Sequence, residues 1–148
     1  MKKVFYFLLI LFIVLVACQG SPSQNPSKVV NDYLNALVEK DPARLISFSC
    51  KSWENEAQKE LDSFMNVGIS LENVDCKVNS QSSAEAAVMC SGFIKLTYDT
   101  EIQKIDLSKR SYKLILENNE WRVCGLKWWF FVLYFQEKIY YLLWFLSP

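Results

Sequence analysis

The hydrophobic positions of this chain follow a helical period before Gly68 and an alternating period after it. Asn25 is placed to cap a first helix, and Pro26 suits its first turn. Asp41 and the proline after it end that helix and start a short second one, and Ser52 is expected to cap a third. The apolar positions at helical spacing are Val30, Tyr33, Leu34, Leu37, Val38, Leu45, Ile46, Phe48, Trp53, Ala57, Leu61, Phe64 and Met65.

The alternating region predicts an antiparallel meander after the helices. The predicted strands cover residues 74–78, 86–98, 102–107, 112–116 and 120–126. Asn118 and Asn119 are expected to form the turn between the last two strands, because asparagine tolerates positive φ. Helices followed by a meander predict one α+β domain over residues 26–126, with the helices packed on one face of the sheet.

The N-terminus has the order of a secretory signal peptide. Lys2 and Lys3 are followed by an apolar run from Val4 to Val16, and the small Ala17 ends the segment. The apolar run of about 13 residues would rise only about 20 Å as a helix, too short for a hydrocarbon core of about 30 Å. Residues 1–17 are therefore predicted to be a signal peptide.

The sequence Leu15-Val16-Ala17-Cys18 resembles the lipobox of bacterial lipoprotein precursors. This resemblance implies diacylglyceryl transfer to the Cys18 sulfur, cleavage before it, and anchoring in membrane lipid on the extracytoplasmic face of the cell envelope. Residues 18–25 would then form a polar, flexible, lipidated tether. The alternatives are an ordinary signal peptide with a chance cysteine and an uncleaved membrane anchor.

Three segments of the predicted domain resemble the nuclear-transport-factor-2-like superfamily, and in particular small bacterial lipoproteins of uncharacterised function with that fold. The segments are residues 30–37, 40–42 and 121–123. The resemblance covers roughly residues 26–126 and implies a cone-shaped domain with N-terminal helices on a curved antiparallel sheet. The alternative is a cystatin-like fold, in which a single helix packs on a curved sheet.

Composition narrows the chemistry that the chain can perform. The chain has 16 basic and 16 acidic residues, so nothing indicates a nucleic-acid surface. Loss of Lys2 and Lys3 with the signal peptide leaves 14 basic against 16 acidic residues, a net charge of −2. The absence of histidine excludes Ser-His-Asp and Cys-His catalysis and imidazole metal ligands. We therefore predict no catalytic constellation, no metal and no cofactor.

The cysteine count favours disulfides. Of five cysteines, four remain besides Cys18, and an even number in an exported domain is typical of two disulfides, with three possible connectivities. We favour Cys76 with Cys90, because both lie on neighbouring strands of one hairpin, which leaves Cys50 with Cys124. A zinc site of four thiolates lacks any Cys-x-x-Cys spacing, and free buried thiols are the other alternative.

Residues 127–148 form an aromatic-rich hydrophobic tail that is predicted to be helical. Its apolar stretch, Trp128 to Leu146, has the length of a membrane span, but Glu137 and Lys138 at its centre oppose insertion. We favour a helix at the membrane interface, where aromatic residues are enriched. The alternatives are an extension that is not part of the selected domain and a transmembrane helix.

Three functions fit these features. The first is a non-catalytic binding or interaction module, in which Tyr33, Trp53, Tyr112 and Trp121 could line a pocket between helices and sheet. The second is a structural or accessory envelope lipoprotein with a filled core and no ligand. The third is an enzyme with a carboxylate-lined pocket, but we expect the best spaced pair, Glu56 and Glu60, to lie on a solvated helix face and the chain not to be an enzyme.

Overall fold

The computed structural model describes residues 24–128, so the predictions for the signal peptide, Cys18 and the tail beyond Trp128 lie outside the described residues. Two polar side chains cap the N-termini of the first two helices. Helix α1 (Pro26–Val38) begins where Asn25 Oδ1 accepts a hydrogen bond from the Ser27 amide at 3.0 Å. Helix α2 (Pro42–Ser47) begins in the same way, with Asp41 Oδ1 accepting from the Arg44 amide at 3.0 Å. Both predicted caps are confirmed.

Helix α3 (Glu54–Ser63) starts differently from the prediction. Its N-cap residue is Trp53, no side chain caps it, and the expected role of Ser52 is wrong. The reason is a turn in which the Trp53 amide donates to the Cys50 carbonyl oxygen at 2.9 Å, so Ser52 lies inside the turn. The predicted inner position Met65 is also wrong, because the helix has ended and this side chain is 49% exposed.

Five antiparallel strands form one sheet: β1 (Gly68–Gln81), β2 (Glu85–Tyr98), β3 (Glu101–Asp106), β4 (Arg110–Glu117) and β5 (Glu120–Trp128). Strand β2 pairs with β1 along one edge. Along its other edge it pairs with β3 over residues 93–98 and with β4 over residues 85–89. A 3₁₀ turn, Leu107–Lys109, joins β3 to β4 and buries Leu107 completely. Strand β5 pairs with β4 and completes the order β1-β2-β4-β5. The predicted start of a helical tail at Lys127 is wrong, because Lys127 and Trp128 continue β5 by pairing with Ser111 and Arg110.

A β-bulge bends the long β1–β2 ribbon. Asn73 has φ 53° and the pairing register shifts between Glu72 and Asp75. Gly92 faces this bulge with φ +95°, and a Cβ there would lie 2.4 Å from the Asn73 carbonyl oxygen, so only glycine fits. The predicted class, α+β with helices on a curved antiparallel sheet, is confirmed.

The core lies between α1 and the inner face of the sheet. Buried residues of α1 meet alternate residues of β2, β4 and β5, as the two periods of the sequence predict. The hairpin turn at Asn118 and Asn119, with φ 51° and 66°, is confirmed. Within residues 24–128, no helix is long and apolar enough to cross a bilayer. The largest fully buried side chains are Tyr33, Tyr112, Leu34, Leu37, Leu45, Leu61, Ile94, Leu107 and Leu114.

Candidate functional site

A group of polar side chains lies inside the domain, where α1, α3 and β4 meet. The Tyr33 hydroxyl donates to Glu60 Oε2 at 2.9 Å. Arg110 Nη1 lies 3.2 Å from the other carboxylate oxygen, Oε1, and the side chains of Arg110 and Glu60 are only 5% and 15% exposed. We call Tyr33, Glu60, Arg110 and Tyr112 the interior polar cluster. Both oxygens of its carboxylate are therefore engaged by protein donors.

Each element brings its residue to the cluster by its own period. Arg110 and Tyr112 stand two residues apart on β4 and so share the inner face of the sheet. Tyr33 comes from the buried face of α1, and its ring meets the Tyr112 ring edge to face, with centroids 6.4 Å apart. Glu60 reaches down from α3. The cluster thus joins both helices to the sheet.

Burial sets the protonation of the two tyrosines. It raises the pKa of Tyr33 well above the usual value, and the nearby Glu60 carboxylate adds to this effect. Burial and Glu60 likewise raise the pKa of Tyr112, which Arg110 opposes. Both phenols are consequently neutral at physiological pH, and the Tyr33 hydroxyl acts as a hydrogen-bond donor to Glu60, not as a base.

The structure places the four proposed pocket residues in the interior. Tyr33 and Tyr112 are 0% exposed and Trp121 is 2% exposed, while Trp53 packs partly buried against the same core. Tyr33 and Tyr112 come together beside Glu60, and Trp53 lies close to Tyr33. Trp121 lies at the other end of the β4–β5 hairpin, paired with Leu116. These aromatic rings fill the space between α1 and the sheet.

The expectation that Glu60 is solvated is wrong, whereas Glu56 on the same helix is exposed as expected, with 50% of its side chain accessible. Glu60 lies three residues after Ala57 and four before Phe64, both buried, so it stands at the border of the apolar stripe. Arg110 was missed as well, although it shares the alternation of Tyr112 and Leu114. Those two positional signals could have found the pair.

A second candidate site is an open depression of about 410 Å³ on the outer face of the sheet, near the β1–β2 turn. Its residues come from β1, β2, β4, β5 and that turn: Ser80, Gln81, Ser82, Glu85, Ala86, Ala87, Ser111, Lys113 and Lys127. Lys113 Nζ lies 2.8 Å from Glu85 Oε1. We call this site the outer depression, and sequence reasoning did not find it because its residues are far apart along the chain.

Two disulfides hold the domain together. Cys76 and Cys90 are directly opposite each other on β1 and β2, with Cα atoms 4.0 Å apart. Cys50 and Cys124 have Cα atoms 5.2 Å apart and join the segment between α2 and α3 to β5. The Cys50 amide also donates to the Val123 carbonyl oxygen at 2.8 Å, so this segment covers the β5 edge. Among residues 24–128 no group of His, Cys, Asp and Glu could hold a metal ion.

The chain resembles known proteins in structure but not in sequence. No protein-family model matches the chain, and no curated protein matches it either. Among solved structures, a SEC-C motif containing protein from Rhodopseudomonas palustris superposes with TM-score 0.51 and 7% identity, over 71% of this chain and 81% of that one. This likeness shows a shared fold and carries no information about activity.

Two other solved structures are more distant in shape. One is a provisionally assigned scytalone dehydratase from Novosphingobium aromaticivorans, with TM-score 0.49, 15% identity, and coverage of 68% of this chain and 79% of that one. The other is a protein of unknown function with a cystatin-like fold from Nostoc punctiforme, with TM-score 0.41, 9% identity, and coverage of 65% and 80%. We base no functional argument on either.

Proposed function

We propose that this chain is an extracytoplasmic, lipid-anchored lipoprotein whose domain is a non-catalytic interaction module. The observation that carries the proposal is the use of the cysteines. Four of the five cysteines are joined in two disulfides within the domain, and the remaining one, Cys18, falls at the lipobox-like sequence. Disulfides persist in oxidising compartments outside the cytoplasm, which supports export.

The filled interior favours binding of a partner at the outer surface and argues against a ligand pocket inside the domain. Tyr33 and Tyr112 occupy the space between α1 and the sheet, and neither is exposed. The only carboxylate of the interior polar cluster already accepts from Tyr33 and pairs with Arg110. A partner of this domain would therefore meet its outer surface.

Intact mass of the protein extracted from its native membrane tests the proposal. The expected mass lacks residues 1–17, carries acyl chains on residue 18, and is four hydrogens lower than that of the fully reduced chain. The matched control is Cys18→Ser, which is expected to carry no acyl chains and to be absent from the membrane-extracted, acylated pool. A mass that retains residues 1–17, or one without acyl chains, would overturn the lipoprotein assignment.

The buried carboxylate of Glu60 favours a second candidate, an enzyme in which this residue acts on a small ligand. A titratable side chain held largely out of solvent inside a domain is a candidate for catalysis. We rank it second because both oxygens of Glu60 are engaged. A thermal-shift screen of envelope-derived small molecules tests this second candidate. A ligand that raises the melting temperature of the wild type but not of Glu60→Gln would favour the enzyme over the interaction module.

A further inference from the structure

Small residues line part of the outer depression, and a glycine of β5 lies beside one of its lysines. Ala87 on β2 is paired with Lys113 on β4, which is paired in turn with Gly125 on β5, and Ser111 stands two residues before Lys113. A Cβ added at Gly125 would meet only the Lys113 Cβ, at 3.9 Å, so the space above this glycine is open. Larger side chains at Ala87 and Ser111, which line the depression, would fill it.

The rim of the outer depression carries more positive than negative charge. Lys113 and Lys127 contribute two ammonium groups, and Glu85 contributes one carboxylate, which pairs with Lys113. Lys127 is exposed and has no ion pair within residues 24–128. Ser80 and Ser111 add hydroxyl groups to the lining. Ammonium and hydroxyl donors around an open space suit the oxygens of a phosphate.

The position of Lys127 in the chain indicates where such a phosphate would come from. The residue that follows it, Trp128, opens an aromatic run in which Trp129, Phe130 and Phe131 come next. Aromatic residues and lysines next to apolar segments concentrate at the level of lipid headgroups. Lys127 therefore lies next in sequence to a segment whose composition suits the membrane interface.

The geometry points to the outer depression as a contact site for the phosphate of an anionic phospholipid headgroup, with Lys113 and Lys127 as the binding residues. This inference rests on the proposed function in so far as the lipid anchor keeps the domain beside a membrane. Each lysine near an anionic surface strengthens binding about fivefold. The contact would fix which face of the domain is turned toward the lipid.

Lysine footprinting on the full mature protein tests the site. The protein is extracted, reconstituted into vesicles of phosphatidylcholine alone or mixed with phosphatidylglycerol, and treated with an amine-acylating reagent. Lys113 and Lys127 are expected to react about fivefold more slowly in the anionic vesicles, and the difference is expected to vanish at high salt. Lys95 on β2 and Lys104 on β3 are internal controls. They lie opposite each other near the end of β2 that is remote from the depression, and they are expected to react equally in both kinds of vesicle.

Two further arms separate the alternatives. In Lys127→Gln the protection of Lys113 is expected to fall, whereas in the charge-matched Lys104→Gln it is expected to persist. Inorganic phosphate added to neutral vesicles is expected to give no protection; equal protection would identify a free-anion site and overturn the lipid assignment. Equal reactivity of Lys113 and Lys127 in both kinds of vesicle would overturn it as well.

Flotation on neutral vesicles keeps the two proposals distinguishable. A protein that floats with neutral vesicles but shows no lysine protection on anionic ones retains its anchor and lacks the headgroup site. A protein that fails to float with neutral vesicles, yet shows the protection on anionic ones, lacks the anchor and retains the site.

Discussion

Glu60 on α3 and Arg110 on β4 form an ion pair at 3.2 Å across the interior of the domain. Tyr33 on α1 donates to the second oxygen of the same carboxylate at 2.9 Å. A single side chain therefore connects the two longer helices with the sheet. Because α3 carries few buried apolar residues, only Ala57 and Leu61 within its bounds, its attachment depends strongly on this polar contact.

Replacement of Glu60 by alanine is expected to lower the free energy of unfolding by about 2–4 kcal/mol, because it removes the carboxylate that compensates a buried guanidinium. Urea denaturation of the oxidised protein measures the change. Glu56→Ala, on the exposed side of the same helix and paired with Lys59 at the surface, is the control and is expected to change stability by less than about 1 kcal/mol. Equal losses in the two variants would contradict a structural role for the interior pair.

The two central tyrosines are expected to respond differently to loss of the hydroxyl. Tyr33→Phe removes a hydrogen bond to a carboxylate and is expected to cost about 1.5–3 kcal/mol. The Tyr112 hydroxyl is buried and makes no hydrogen bond within residues 24–128. Tyr112→Phe is therefore expected to be nearly neutral.

Denaturation of both phenylalanine variants under the same conditions checks this order. The two substitutions remove the same atom from equally buried rings, so each is the control for the other. A larger loss for Tyr112→Phe would show that its hydroxyl has a partner that stabilises the fold.

Alkaline pH is expected to destabilise the domain through the same tyrosines. Their pKa values are raised in the folded protein, so above the ordinary value of 10.0 the unfolded chain loses these protons and the folded domain keeps them. The unfolded chain then binds fewer protons, and stability falls as pH rises. The slope is about 1.4 kcal/mol per pH unit for each tyrosine, and below about pH 9 it is flat.

Denaturant titrations between about pH 9 and pH 11 measure this slope. In Tyr33→Phe the slope is expected to fall by about half, because one of the two buried phenols is missing. Tyr98→Phe is the control, since Tyr98 is 41% exposed and lies outside the interior polar cluster. A slope that is the same in all three proteins would contradict the assignment to buried tyrosines.

The two disulfides are expected to differ in their effect on stability. Cys50–Cys124 closes a loop with sequence separation 74, and Cys76–Cys90 closes one with separation 14. In the chain-entropy account the long loop contributes about 4.5 kcal/mol and the short one about 3 kcal/mol. Denaturation midpoints of the Cys50→Ala/Cys124→Ala and Cys76→Ala/Cys90→Ala variants test this order, which a larger loss in the second variant would reverse.

Local chemistry made much of the fold predictable. Asn25 and Asp41 define helix starts through hydrogen bonds two and three residues along the chain, and the paired asparagines at 118 and 119 define a turn by their own backbone preference. Such signals depend on neighbours that the sequence shows directly. The alternation of β2 and β4 likewise identified the inner face of the sheet.

The interior ion pair could not be predicted in this way. Glu60 and Arg110 are 50 residues apart, and a charge at the border of a helix stripe is solvated or buried according to what packs opposite. Ser52 shows the same limit, because a preceding turn, not its own capping preference, decides where α3 begins. The outer depression depends on four strands and a turn, so only the folded sheet reveals it.

The link between Cys50 and Cys124 also determines how the domain carries mechanical load. A force that pulls the N-terminal end of α1 against the C-terminal end of β5 would pass from the segment before Cys50 to β5 through this covalent bond. The intervening meander, including the Cys76–Cys90 ribbon, would bear little tension. A protein held at both ends could thus be stretched without unravelling its sheet, as long as its surroundings stay oxidising.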